Sequence, residues 1–160
     1  MDKYRNMEAG DEYAELIKKV AAELGLTRYV DIQPRYLTRP YKNNVGSVAK
    51  GNDVSFTLTG NNNAVVVGIY GEAFDRVDEQ TREFWVRSLL SQIEYDFDKD
   101  KIDVNKNLIT LPLSIYQQFG NIAMQKKELE IHTINTIIEE EKERKAAEKE
   151  AKKAAKKNKR

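Results

Sequence analysis

Four aspartates, Asp96, Asp98, Asp100 and Asp103, cluster within eight residues. Asp-x-Asp-x-Asp is how a calcium-binding EF-hand loop begins. Counting from Asp96, the sixth position is Lys101 where the loop needs glycine, and the twelfth is Asn107 where it needs a bidentate glutamate. With Lys99 and Lys101 interleaved, the group reads as a solvated turn. His132 is the only histidine and there is no cysteine. A site needing two imidazoles from one chain, or any thiolate, is therefore excluded, and His132 reads as a lone exposed imidazole. Gly46-Ser-Val-Ala-Lys-Gly51 has the wrong spacing and ending for a phosphate-cradling P-loop. No set of nucleophile, base and orienting group can be assembled. No cofactor, metal or catalytic residue is expected, and no small-molecule substrate.

A second chemistry is open to Arg35, Tyr36, Arg39, Tyr41, Lys42 and Lys50. Between Gln33 and Asn52 these cations and rings occur with no acidic residue among them. Single-stranded nucleic-acid grooves combine cations with stackable rings in this way. The plainer reading is an arm lying on an acidic neighbour or in solvent. Lys149–Arg160 offers the same choice, between salt-sensitive, nonspecific contact with nucleic-acid phosphates and a solubilising helix end. Charge is divided along the chain. Residues 1–120 carry 15 Lys+Arg against 18 Asp+Glu, residues 121–160 carry 12 against 8, and the whole is +1. An acidic body with a basic extension complements another copy of itself.

The elements that must position these groups are legible in part. Residues 1–9 read as a mobile arm. From Asp11, the residues Tyr13, Leu16, Ile17, Val20, Ala21 and Leu24 recur at helical spacing, with Asp11 or Gly10 as cap and Gly25 as stop. Arg28–Ile32 reads as a short strand, and Gln33–Asn52, with two prolines and two glycines, as a long irregular loop. Asp53–Thr59 alternates as a half-buried strand. Ala64–Tyr70 is a nearly continuous apolar, central strand, and the two are expected to form a hairpin about Gly60–Asn63. Gly71–Val77 is a turn or a single helical turn.

The main helix is expected over Asp78–Phe97 with Asp78 as N-cap. Val86, Leu89, Leu90, Ile93 and Phe97 lie on one face, Trp85 borders it, and Phe84 and Tyr95 give a second apolar side. A helix apolar on two sides is sandwiched between layers. A small hairpin, Lys101–Val104 with Leu108–Leu111, and a short helix, LSIYQQFG, complete the body.

The strand Ala64–Tyr70, the turn Phe74-Asp75, the segment Asp78–Glu83 ending Arg82-Glu83, and the helix after it resemble, in that order, the core of the phage metallopeptidase-like proteins of the zincin type. In that family the helix bears His-Glu-x-x-His. Carrying the register forward places Ser88 and Gln92 at the two zinc-histidine positions and Leu89 at the catalytic glutamate. Serine and glutamine are poor zinc ligands and leucine cannot take a proton from bound water. The resemblance therefore implies a degenerate, inactive domain in a bacteriophage setting. The alternative is simply an amphipathic core helix, and both readings deny catalysis.

From Asn121 onward there is no proline or glycine. Met124, Ile131, Ile134 and Ile138 form a narrow apolar stripe, followed by a segment almost wholly of Ala, Glu, Lys and Arg. This predicts a long projecting helix whose stripe a neighbouring subunit covers. The sequence thus predicts an α+β fold: a flexible arm, 1–9; a globular domain, 10–120, with a small mixed or antiparallel sheet packed on two helices; and a long protruding C-terminal helix with a basic tail, 121–160. No apolar run approaches the roughly 18 to 20 residues of a membrane span, and the first residues carry no apolar signal core. The expected role is a non-enzymatic virion or head-to-tail ring component. It would sit in the virion or host cytoplasm and act as a homo-oligomer or on other virion proteins. A nucleic-acid-binding accessory protein is the second class.

Overall fold

The computed structural model describes residues 3–40, 44–51, 63–104 and 121–157. The sequence-predicted strand 53–59, the strand Leu108–Leu111 and the short helix after Pro112 lie outside the described residues.

The fold is α+β. Among the described residues, a four-stranded mixed sheet and a two-stranded sheet carry four helices, the last of them long. Ala64–Ile69 is the central strand, and every residue in it is buried. We label it β4. Tyr4–Asn6 (β1), Asp31–Leu37 (β2) and Gly46–Lys50 (β3) complete the larger sheet in the order β1-β2-β4-β3. β2 runs parallel to β4, while β3 runs antiparallel to β4 and β1 antiparallel to β2. With a neighbour on each side, β4 is the near-continuous apolar run that a doubly flanked strand needs.

Three expectations about this sheet are corrected. The arm 1–9 supplies a strand: Tyr4 pairs with Leu37 and its hydroxyl lies 3.4 Å from the Ser47 Oγ on β3. The Tyr4 ring thus crosses the sheet over Gly68, where a Cβ would meet Tyr4 Cε1 at 2.8 Å. The strand read at Arg28–Ile32 begins only at Asp31, because Leu26–Arg28 forms a 3₁₀ turn after the left-handed Gly25. The stretch Gln33–Asn52 is not one irregular loop, since β2 and β3 occupy residues 33–37 and 46–50 of it. Pro34 sits inside β2, where a proline gives up a ladder donor; β1 pairs with β2 only from Arg35 onward, leaving Pro34 at an edge-like position.

Helix α1, Glu12–Glu23, packs against β2, and its Ile17, Val20 and Ala21 share one core with Val65, Val67 and Ile69. Asp11 caps it, accepting from the Tyr13 and Ala14 amides. Gly71–Asp75 (α2) is one short turn, and Glu79–Leu90 (α3) starts at Asp78, whose carboxylate accepts the Thr81 amide at 2.8 Å. The main helix is therefore shorter than its periodicity predicts. Ser91 ends it, and Ile93–Asp96 (β5) pairs with Lys101–Val104 (β6) in an antiparallel hairpin. Ile93 is buried as a strand residue, Phe97 is exposed, and Lys101–Val104 has β5 as its partner. Trp85, Leu89 and Ile93 belong to the core, as the sequence predicts, and Phe84 on the second apolar side is buried as well. α3 approaches β3 so closely that a Cβ on Gly46 would stand 2.4 Å from Leu89 Cδ1 and 2.8 Å from the Gly68 carbonyl oxygen.

Helix α4, Asn121–Lys157, follows. No helix among the described residues is long and apolar enough to cross a membrane.

Candidate functional site

The residues that carry the zincin resemblance form a clasp. Phe74 is fully buried, edge-on to Trp85 (5.3 Å between centroids) and to Tyr13 (5.5 Å). Asp75 accepts the Tyr13 hydroxyl at 2.5 Å. Arg82 donates through Nε to the Phe74 carbonyl at 2.7 Å and lies over the Tyr13 ring. Glu83 holds Arg87, which also reaches Glu23 at the end of α1. The turn, α3 and α1 are thereby tied together. Ser88 lies in the last turn of α3, and its buried Oγ has no hydrogen-bond partner among the described residues. Gln92 falls beyond the helix end. Two ligands at i and i+4 share a face only if the backbone stays helical through both. Here the backbone, as well as the residue types, departs from the metallopeptidase pattern. Among the described residues no group of three or more His, Asp or Glu is arranged to hold a metal ion.

A crevice of about 550 Å³ opens at the carboxyl ends of the parallel strands β2 and β4. Tyr13 and Tyr36 line it edge to face, with centroids 6.3 Å apart. The Tyr36 hydroxyl donates to Asp11 at 2.6 Å while Asp11 also caps α1. Burial first, and then these carboxylate partners, push both phenols above their ordinary value of 10.0. Both hydroxyls are spent as donors and stay protonated, and both aspartates are spent as acceptors. The arrangement orients the start of α1 and α2 against the sheet.

Of the six basic and aromatic residues, the four that are described, Arg35, Tyr36, Arg39 and Lys50, are not gathered into one groove. Arg35 lies on the sheet face opposite the helices and donates to the Pro34 carbonyl. Tyr36, its neighbour, points into the crevice on the other face, as alternation along a strand requires. Arg39 is exposed in the bend after β2. Lys50 is at the far end of β3, opposite Val65, and pairs with Asp103 at 3.5 Å. Tyr36 is opposite Ile69, so the two stand four residues apart along β4, about 13 Å at a strand's rise. Tyr41 and Lys42 lie outside the described residues.

The C-terminal stripe is also resolved differently. Ile134 and Ile137 are buried in the domain's own core and Ile138 packs against it, whereas Ile131 is 49% exposed. The side chain of Met124 lies outside the described residues. The buried face of α4 is Glu130, Thr133, Ile134 and Ile137, with Glu141 half-buried one turn further. Polar contacts fix it. The Trp85 Nε1 donates to the Lys126 carbonyl at 3.3 Å, Lys126 donates to Thr81, and Arg76 binds both oxygens of Glu140 at 3.1 and 2.6 Å. The body buries Ile134 and packs against Ile138, while Ile131 stays exposed. From Lys142 to Lys156 every described side chain is exposed.

One surface was not foreseen. Tyr29 and Tyr95 stack at 5.0 Å and 25°, and Phe97 stands edge-on to both at 5.0 and 4.9 Å. Phe97 is 68% and Tyr29 40% exposed. The sequence signal was the i, i+2 spacing of Tyr95 and Phe97, which belongs to extended backbone rather than to a helix.

Compared with protein-family models, curated protein sequences and solved structures, the chain matches none.

Proposed function

We propose that the protein is a non-enzymatic structural or assembly protein of a bacteriophage, a virion or head-to-tail ring component acting through protein–protein contacts. The phage setting rests on the resemblance of Ala64–Glu83 and the helix after it. The structural role is supported above all by α4, a single helix with two unlike parts. Its first part is bound to the body through Ile134, Ile137, Glu130 and Glu140. Its second part, from Lys142, has no body beneath it. An isolated, fully solvated helix of that length is marginal in water, and a second surface that covers it supplies the missing burial. The account also makes sense of Ser88, Leu89 and Gln92, which serve packing and helix termination where the resembled enzymes keep their ligands and base.

The test is sedimentation of the purified full chain over a range of concentrations, beside a chain ending at Glu141. The proposal expects concentration-dependent oligomers that the shorter chain does not form. Equal behaviour of the two chains contradicts it.

Five lysines against one glutamate between Lys149 and Lys157 favour a second reading, a nucleic-acid-binding accessory protein using α4's exposed end. In that case oligonucleotide binding with a steep salt dependence, lost in the chain ending at Glu141, replaces self-association.

A further inference from the structure

We infer that the Tyr29–Tyr95–Phe97 platform and the acidic turn beside it are the docking site for the exposed, lysine-rich end of α4 from a second copy of this chain. The inference rests on the assembly reading and names the surface and its occupant.

The platform is already built. Each ring touches the other two, and the Tyr95 hydroxyl donates to Asp100 in the turn. Asp96 accepts the amides of Asp98 and Lys99, so the turn is ordered from within. A partner therefore meets rings and carboxylates that need little rearrangement. A cavity of about 530 Å³ adjoins the rings, lined by Lys18, Arg28, Asp31 and Asn63 among others.

Charge selects the occupant. The turn that the Tyr95 hydroxyl grips, residues 96–100, carries Asp96, Asp98 and Asp100 against Lys99. The carboxylates are in excess, which opposes a nucleic-acid strand and favours a cationic one. The ion pairs Lys99–Asp96 and Lys50–Asp103 are long and exposed, so they are readily exchanged for others. Among the described residues, the long exposed cationic segment is α4 beyond Lys142. Ala147, Ala151 and Ala154 recur on one side of it at helical spacing, with Lys152, Lys153 and Lys156 around them. Short alanines let a helix approach aromatic rings closely. Lysine stems lie over ring faces, with the ammonium groups reaching carboxylates at the rim.

The occupant comes from another copy. α4 leaves the body beside Arg76, whose partner Glu140 lies just before the exposed part, near the carboxyl end of β4. The platform adjoins Asp31 and Asn63 at the opposite end of that strand. α4 is one unbroken helix to Lys157 and does not turn back on itself. Head-to-tail contacts of this kind propagate into rings or chains of subunits.

The experiment measures self-association of the full chain by sedimentation, alone and in three variants. These are Tyr29→Ala/Phe97→Ala, Asp98→Lys/Asp100→Lys, and Lys152→Glu/Lys153→Glu. All six positions are exposed, and thermal melts confirm that each variant is folded. Each variant is expected to associate about tenfold more weakly than the wild type. The two charge-reversed variants, each weak alone, are expected to associate with one another when mixed. If the platform variants associate as the wild type does while a chain ending at Glu141 does not, the docking site is wrong and the assembly reading stands. A wild-type chain that remains monomeric overturns both. Oligonucleotide binding lost with Tyr29→Ala/Phe97→Ala, without self-association, overturns the choice of occupant.

Discussion

The Glu130 carboxylate of α4 accepts the backbone N–H of Val45 at 3.3 Å, joining residues 85 apart in sequence, and its other oxygen holds Lys127 at 2.8 Å. Glu130 is only 6% exposed, and this contact anchors the C-terminal helix beside β3. Glu130→Ala leaves a buried amide without its acceptor, for which about 1–3 kcal/mol of lost stability is expected. Chemical denaturation measures it. Loss within error of zero means that α4 is not held there.

Trp85→Phe keeps most of the ring packing against Phe74 but removes the donor to the Lys126 carbonyl. The expected cost is about 1–2 kcal/mol, while Trp85→Ala, which opens a cavity at the centre of the core, costs about 3–5 kcal/mol. The ratio of the two, from denaturation curves, separates packing from the indole hydrogen bond.

Gly46→Ala forces a Cβ against Leu89 and the Gly68 carbonyl. The side chain can move, but the backbone oxygen cannot without disturbing the β3–β4 ladder. We expect a loss of about 1–3 kcal/mol, relieved only in part by Leu89→Ala. A neutral Gly46→Ala contradicts the close approach of α3.

The pH dependence has two arms. Hydrogen bonds from Arg76 hold the Glu140 carboxyl below its ordinary range, and those from Thr81 do the same for Asp78. A carboxyl depressed on folding stabilises above its unfolded pKa, and that contribution is lost as pH falls through the folded value. Glu140→Gln/Asp78→Asn should therefore flatten the acid side of the melting-temperature profile. At the alkaline side, burial and the partners Asp75, Asp11 and Glu72 raise Tyr13, Tyr36 and Tyr70 above 10.0. Their contribution is complete below the ordinary phenol range and is lost as pH rises through the raised values. In a tyrosinate absorbance titration Tyr13, Tyr36 and Tyr70 are expected to ionise late, and Asp75→Asn should bring Tyr13 earlier.

The sequence made some of this legible and concealed the rest for identifiable reasons. Asp11, Gly25 and Asp78 are local signals: a side-chain oxygen meets an amide two or three residues away, or a left-handed backbone selects glycine. Each marks its boundary in the structure. Ala64–Ile69 announced itself because a strand with neighbours on both sides cannot alternate. The end of α3 was hidden because Ile93 and Phe97 continue the helical spacing of Leu89 and Leu90. Only the pairing of β5 with β6, a contact invisible to periodicity, shows that the chain has become extended. Pro34, Pro40, Gly46 and Gly51 concealed two strands, although Pro34 sits at an edge and Gly46 serves helix packing. On α4 the apolar isoleucines pointed to Ile131. Glu130 holds the buried position beside it through a hydrogen bond that no apolar pattern can express. The platform was missed because its three rings come from the end of the 3₁₀ turn, from β5 and from the turn after β5, brought together by tertiary structure alone.

The central claim is that α4 is docked on its own body as far as Glu141 and engaged by another copy beyond it. Amide hydrogen exchange along α4, at low and at high protein concentration, tests this most directly. Residues 126–141 should be protected at both concentrations. Residues 142–157 should exchange quickly when dilute and become protected as the chain associates. Fast exchange of 142–157 at every concentration, in a chain otherwise folded, contradicts the account.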